Sequence, residues 1–493
     1  MTSNGILEAA SDGEVMEAQC LVDGQWRRTA EQVERIGPWT RAAVSSAWQA
    51  GPEDIAAARA AAPRFAAVVA GISPASRARS LMKASELARS RRDELAVVIA
   101  RELGKPVRDG AKEIDRVADT LAVCADETRR IGGDVLPVAG YDNGVGNTAM
   151  TFRAPLGVAL VITPFNAPAN LLAHKLGAAF AAGNTTIVKS PPQAPATTAA
   201  IVALLLEAGV PNEAVQVLHG GGQLGATLCA LPEVAVISFT GSAETGAAVA
   251  RAAGAKRLVL ELGGNAATIV CDDADVARAA TMCARTGYSN SGQSCISVQR
   301  VYAHADVFDE FLQLMSKEVA SLVVGDPTQP TTDVGSMVDD AAAQRVESWI
   351  HEAVAEGAEL VCGGTRDGAT LAPTIVARAR PDSVLVRNEA FGAVVVVMPF
   401  TDLDDVIAEC NASRYGLQAG LFTHRIETIV QAWRDLAVGA VVVNGTSNFR
   451  LDHVPFGGVK DSGFGREAPG PMIEDYTSVK TLLIRDLSIW GSR

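Results

Sequence analysis

The sequence predicts a soluble α/β protein of two or three domains whose larger units are built on parallel sheets. Three observations carry that prediction. The chain has 493 residues, more than one compact core holds. Its 48% hydrophobic and 20% charged residues match a globular composition. Short apolar runs alternate with Ala- and Leu-rich stretches of helical periodicity, as a doubly wound sheet demands.

Residues 51–130 read as helices. Segments 56–70 and 74–103 carry apolar side chains at three- and four-residue spacing, with Arg and Glu on the opposite face. Ser73-Pro74 is a helix start, a capping hydroxyl followed by a proline whose missing N–H costs nothing there. Residues 132–152 turn to Gly and β-formers and read as a hairpin or extended arm. Strand candidates follow at 158–162, 185–188, 214–218 and 234–239, each leading into a turn and a helix. After Glu261 a second α/β unit opens, with strand candidates at 267–271, 299–303, 394–400 and 440–444. The tail over 476–489 reads as extended again. There is no internal repeat and no low-complexity linker.

Composition also excludes. A formal net charge of −13 without a Lys/Arg cluster makes nucleic acid and anionic membrane surfaces poor partners. Apolar stretches break off well short of a membrane span, and residues 1–19 lack the layout of a signal peptide. Eight cysteines are scattered without a CxxC pair, and the histidines do not join them at zinc spacing, so no metal site is expected. A reducing cytoplasm fits this usage.

Ser291-Gly292-Gln293-Ser294-Cys295 is too small and polar to be core, unlike the surroundings of a buried structural cysteine. A nucleophilic cysteine reacts as its thiolate and needs an accessible, polarised setting. Glu261-Leu262-Gly263-Gly264-Asn265 supplies a carboxylate at a strand-to-loop turn, the base such a thiol needs. Thr163-Pro164-Phe165-Asn166-Ala167-Pro168 follows an apolar run; Phe239-Thr240-Gly241-Ser242, Asn388-Glu389-Ala390-Phe391-Gly392 and a segment from Pro455 to Glu467 complete the set. In this order and spacing, the motifs resemble the aldehyde dehydrogenase superfamily from about Trp26 to about Lys480.

The resemblance implies a Rossmann-type cofactor domain over 15–133 and 153–260 and an α/β catalytic domain over 261–470. A small β oligomerisation arm is implied over 134–152 and 471–493, making a homodimer or homotetramer. It also implies NAD or NADP as cofactor. Gly220-Gly221-Gly222-Gln223-Leu224-Gly225 satisfies G-x-G-x-x-G, but no acidic residue follows in the usual ribose context. The turn at Gly241-Ser242, opening a helix near Ala243, offers free N–H groups and a positive dipole to a pyrophosphate, with Thr245 in its first turn. Lys189 matches the family's ribose-binding lysine. NAD-preferring members place a glutamate three residues later; this chain has Ser190-Pro191-Pro192. Loss of that carboxylate removes repulsion of a 2′-phosphate, and Lys189 and Ser190 would welcome one, so tolerance of NADP is expected. Thr163, Pro164, Phe165, Gly222, Gly225, Phe239, Leu262, Glu389 and Phe391 complete the expected cofactor site.

The implied chemistry is oxidation of an aldehyde to a carboxylic acid. Cys295 attacks the carbonyl to give a thiohemiacetal, whose oxyanion meets the Asn166 amide and the Cys295 backbone N–H. The resulting thioester is hydrolysed by water activated by Glu261; Lys175 and Glu467 stand at the family's proton-relay positions. Retention of Glu261 favours a free acid over transfer to coenzyme A. Arg116, Leu171, His174, Ser294, Ile296, Arg450 and Phe456 are the expected substrate wall. His174, Arg450 and Arg116 resemble the subset taking small aldehydes with an anionic tail, which a guanidinium suits, although those members often carry arginine where this chain has Ser294. A bridge from Arg450 to Asp452 with a generic pocket, and broad aromatic or aliphatic specificity, stand as alternatives. A CoA-acylating enzyme, a non-catalytic member and a plain Rossmann reductase fit the intact Cys295, Glu261 and Asn166 less well.

Overall fold

The computed structural model describes residues 3–486. Five parallel strands form the centre of the first large sheet, in the spatial order Arg257–Glu261, Val236–Thr240, Val158–Ile162, Thr185–Lys189 and Val215–Leu218. All but the first are buried throughout or nearly so, which explains why they read as continuous apolar runs rather than alternating ones. The chain lays down three strands in one direction, then returns to add two on the other side of Val158–Ile162. Strand order therefore reverses between Val158–Ile162 and Val236–Thr240, the switch point at which open α/β sheets leave a crevice beyond their carboxyl ends.

The second large sheet runs Glu359–Cys362, Thr374–Ala377, Val394–Phe400, Arg300–His304, Ala267–Val270, Gln418–Phe422 and Ala440–Val443, parallel except for the first strand. Residues entering its strands, 264–266, 295–299 and 389–393, begin at the second glycine of the Gly-Gly turn, at Cys295 and at Glu389. The carboxyl edge of one sheet thus faces the amino edge of the other, and the motifs lie along that seam.

Every expected strand is present, with ends shifted by a residue or two. The segment 74–103 is two helices, Pro74–Ser90 and Arg92–Leu103. Arg91 leaves helical geometry at φ −108°, ψ 18°, and its guanidinium instead grips both Glu207 carboxylate oxygens at 2.7 Å, a distant partner that periodicity does not register. Ser73 does cap, accepting the Ser76 N–H at 3.2 Å. The N-terminal stretch, given no element by sequence, holds the helix Ser3–Ser11.

The arm is a three-stranded antiparallel sheet of Val135–Leu136, Thr148–Pro155 and Thr477–Ile484, the last two paired over eight residues from Thr477 opposite Pro155 to Ile484 opposite Thr148. It reaches to Pro155, beyond the expected end at 152. Residues 487–493 of the expected tail lie outside the described residues. The short strand Gly463–Phe464, placed with the catalytic unit by sequence, pairs with Arg257–Glu261 in the first sheet. Among the described residues no single helix is long and apolar enough to cross a membrane, and no cluster of His, Cys, Asp or Glu has metal-ligating geometry.

Candidate active site

Two cavities adjoin the Cys295 loop. A cleft of about 700 Å³ lies at the switch point and reaches Cys295, Glu261 and Asn166. A second cavity of about 600 Å³ opens on the other side of the cysteine loop, lined by Ser294, Ile296, Asn166 and Arg116. Asn166 and Arg450 line both.

The cysteine loop has an unusual backbone. Asn290 and Ser291 are left-handed at φ 50° and 55°, followed by Gly292 at 73°, a conformation costing a side-chain-bearing residue roughly 1–3 kcal/mol. Tertiary bonds hold it there. Asp109 accepts the Asn290 N–H at 3.1 Å and the Ser289 hydroxyl at 3.2 Å. Ser291 donates to the Gly335 carbonyl at 3.0 Å, and the Val338 N–H donates to the buried Gln293 side chain at 2.8 Å. Cys295, partly exposed, therefore projects from a fixed loop.

Asn166 is placed just as firmly. Its Nδ2 donates to the Gln293 carbonyl at 3.1 Å, leaving a second N–H available. Its own carbonyl accepts from Lys105 at 3.1 Å and from Asn290 Nδ2 at 3.0 Å. Lys105 pairs with Glu113 at 2.7 Å, and Glu113 accepts the Ala169 and Asn170 N–H groups at the start of helix Pro168–Ala181. Asp109, Lys105 and Glu113 escaped the sequence reading. Helical spacing shows that Asp109, Glu113 and Arg116 share a face of Val107–Thr128, but not what that face meets.

Glu261 is buried, and neither carboxylate oxygen has a hydrogen-bond partner among the described residues. Burial, then the Glu467 charge, raises its pKa well above the ordinary carboxyl value. Cys295 is pushed up to about 12, by burial first and then by the Glu389 and Glu261 carboxylates, with Arg450 opposing. Behind Glu261, Glu467 accepts from Lys175 at 2.8 Å and from Arg450 at 2.8 Å. Burial opposes its ionisation, but Lys175 and Arg450 outweigh it and hold the carboxyl below its usual range. Lys175 is fully buried, donates also to Ser238 at 3.1 Å and lines neither cavity. The 455–467 segment folds back on itself, with Phe456 and Glu467 paired through their backbones.

The cleft suits a dinucleotide. The helices Gly222–Ala230 and Ala243–Ala253 both start in it, so two sets of free N–H groups face one space. Gly222 and Gly225 have open room where a Cβ would stand, whereas a Cβ at Gly246 would lie 2.4 Å from Leu262. The buried hydroxyls of Thr163 and Thr240 line the cleft without a hydrogen-bond partner among the described residues. Pro164, Phe165, Phe239, Gly241, Ser242, Thr245, Leu262 and Glu389 line it as expected. Phe391, at φ 49°, meets Phe165 edge-on at 5.9 Å. Lys189 reaches the cleft with no carboxylate paired to it among the described residues, and burial lowers its pKa to about 8. Glu389, raised to about 7 by burial, accepts the Gly264 N–H at 2.8 Å.

Ser190 is a correction. Its hydroxyl turns into the core, donating to the Pro191 carbonyl at 3.2 Å and to Thr198 at 3.3 Å, so it offers nothing to a phosphate. Pro192 stands exposed at the cleft edge. The cleft also takes in Gln193, Glu244, Arg345 and Trp349, which sequence reasoning missed. Arg345 lies over the Trp349 ring at 4.7 Å, the helical i, i+4 spacing being the signal that was there to find.

On the substrate side, Leu171 and Phe456 face the cleft and Ser294 and Ile296 the second cavity. His174 lines neither: it is fully buried, its Nε2 2.9 Å from Asp452 and 3.2 Å from Arg450. Asp452 is the hub. It takes Arg116 through two bonds at 2.9 and 2.7 Å and Asn170 at 3.3 Å. The alternative bridge from Arg450 to Asp452 is present as an ion pair with Nε at 3.5 Å; Arg450 also donates to Glu467 at 2.8 Å and lies over Phe456 at 4.2 Å. Gln418 fixes the preceding loop by donating to the Ser447 and Phe449 carbonyls at 2.6 Å.

Sequence comparison assigns this arrangement to a class: the model of the aldehyde dehydrogenase family matches residues 26–482, and the chain belongs to that family. It is an NAD(P)-dependent aldehyde dehydrogenase, an oxidoreductase using NAD or NADP. It is similar to 3-sulfolactaldehyde dehydrogenase of Priestia aryabhattai, 39% identical over 472 residues covering 96% of this chain and 98% of the relative. It is also similar to sulfoacetaldehyde dehydrogenase of Neptuniibacter caesariensis, at 37% over 408 residues, 83% of this chain and 90% of the relative. Among solved structures, NADP-dependent glyceraldehyde-3-phosphate dehydrogenase from Bacillus halodurans C-125, complexed with NADP, aligns with a TM-score of 0.92 at 31% identity, covering 95% and 99% of the two chains.

Proposed function

We propose that this enzyme oxidises a small aldehyde with an anionic tail to the free carboxylic acid. The carrying observation is the cavity beside the cysteine loop, walled by Arg116 and Arg450. Arg116 spends its Nε and one Nη on Asp452, and its other Nη, with no hydrogen-bond partner among the described residues, can face a sulfonate or carboxylate. The names of the two relatives, both dehydrogenases of sulfonated aldehydes, support the same class.

In this reading the tail sits against Arg116 and the aldehyde carbon reaches Cys295. The thiol proton passes to Glu261 and on to solvent as sulfur bonds to carbon, giving a thiohemiacetal whose oxyanion is met by Asn166 Nδ2 and the Cys295 N–H. NAD(P), when bound in the cleft, supplies the two-electron acceptor that takes this adduct to a thioester. Glu261, its oxygens without a hydrogen-bond partner among the described residues and its basicity raised by burial first and then by the charge of Glu467, then takes a proton from the attacking water. Glu467 and Lys175, paired at 2.8 Å, pass that proton outward. The arm exposes Phe152, Val479 and Leu483, and we assign it the role of joining copies of this chain, which light scattering on the purified protein checks.

Reduced-cofactor formation across sulfonate, carboxylate, aliphatic and aromatic aldehydes tests the reading, with Cys295→Ala as blank. The expected result is a kcat/KM at least about tenfold higher for anionic aldehydes. A flat or aromatic-favouring profile removes the anionic-tail assignment; turnover without Cys295, or only with coenzyme A, removes the mechanism.

A further inference from the structure

The substrate-side cavity is larger than a small aldehyde needs, and its charge is unlike that of the rest of the chain. Six cations line it, Lys105, Arg108, Lys112, Arg116, Arg285 and Arg450, against two carboxylates, Asp109 and Glu113, in a chain of formal net charge −13. Arg108, Lys112 and Arg116 stand four residues apart on helix Val107–Thr128 and so share its cavity-facing side. Side-chain exposure rises outward from the nucleophile, from 8% at Arg450 through 38% at Arg116 to 46% at Arg285 and 70% at Lys112.

These cations are not equally committed. Lys105 is spent on Glu113 and the Asn166 carbonyl, and Arg108 on Asp333. Lys112 has only a 3.5 Å approach to Asp109 among the described residues, while the other Asp109 oxygen holds the cysteine loop. Arg285 makes ionic contacts no shorter than 3.6 Å, to Glu318 and Asp333. The two outermost cations are therefore the least neutralised.

We propose that Lys112 and Arg285 form an electrostatic rim that draws anionic aldehydes into the cavity and toward Arg116, determining specificity without touching the reacting atoms. The proposal rests on the anionic-tail reading above. It adds a distinct physical signature: rim charges act through water at long range, so their effect is screened by salt, whereas a direct Arg116 contact is screened far less.

The test measures kcat/KM for sulfoacetaldehyde and for neutral propionaldehyde, in the wild type, Lys112→Glu and Lys112→Arg, at low and high ionic strength. Reversing one rim charge is expected to lower the sulfonate-to-neutral ratio about three- to tenfold near 20 mM salt, and less than about twofold near 0.5 M. Lys112→Arg keeps the charge and is expected to keep the wild-type ratio and its salt dependence. Equal losses for both aldehydes, a loss that salt does not reduce, or no loss at all overturns the rim. A wild type without preference for the sulfonate at any salt overturns the anionic-tail reading itself, before any variant is considered.

Discussion

Adding one methyl group at Gly264 tests how tightly the nucleophile is held. A Cβ there would lie 2.1 Å from the Cys295 carbonyl oxygen, with the Leu417 Cβ at 3.4 Å behind it. Since Cβ contacts below 3.0 Å do not persist, the two segments must part by at least about 0.9 Å. Gly264 does not have a positive φ, so alanine brings no conformational penalty of its own and the effect is purely steric. The Gly264 side is tied by its N–H to Glu389, and the cysteine loop is pinned upstream by Asp109, Gly335 and Val338. The displacement is therefore taken up at Cys295. A misplacement near 1 Å costs about 100-fold in rate, equivalent to about 2.7 kcal/mol. Steady-state kcat/KM of Gly264→Ala at saturating cofactor, with thermal denaturation and calorimetric cofactor binding as controls, gives the measurement. Activity within about threefold of wild type, with unchanged denaturation, would refute the rigid-loop argument.

Two further outcomes follow from charge. Thiol attack and hydrolysis both need deprotonated groups, and Cys295 and Glu261 are both raised; kcat/KM therefore climbs from about pH 6 to about pH 9 without an acid-favoured limb, and a profile peaking below about pH 6 contradicts these environments. Pro192→Glu puts a carboxylate at the exposed edge of the cleft near Lys189; calorimetric binding of NADP is expected to weaken at least about tenfold while NAD changes little, and equal weakening of both would place the adenosine ribose elsewhere.

Sequence alone determined the parts of this protein that depend on local chemistry. Buried parallel strands must be continuous apolar runs, so their positions were readable, and the turns that follow them announced themselves through Gly, Pro and small polar residues. Cys295 and Asn166 drew attention as polar or reactive groups in loops of small residues, and Glu261 as a carboxylate closing the apolar strand Arg257–Glu261 before a Gly-Gly turn. Ser190 misled because a hydroxyl beside Lys189 looks available, while its direction is set by Thr198 across the packed core. Tertiary structure alone decided the pairings. Asp452 meets Arg116 across 336 residues, and Arg450 donates to Glu467 besides its ion pair with Asp452. It also decided that Asp109 and Glu113, ordinary residues on a helix face, brace the Cys295 loop and the Asn166 turn. The physical reason is that a side chain's partner is chosen by geometry between distant segments, whereas periodicity records only which face it shares.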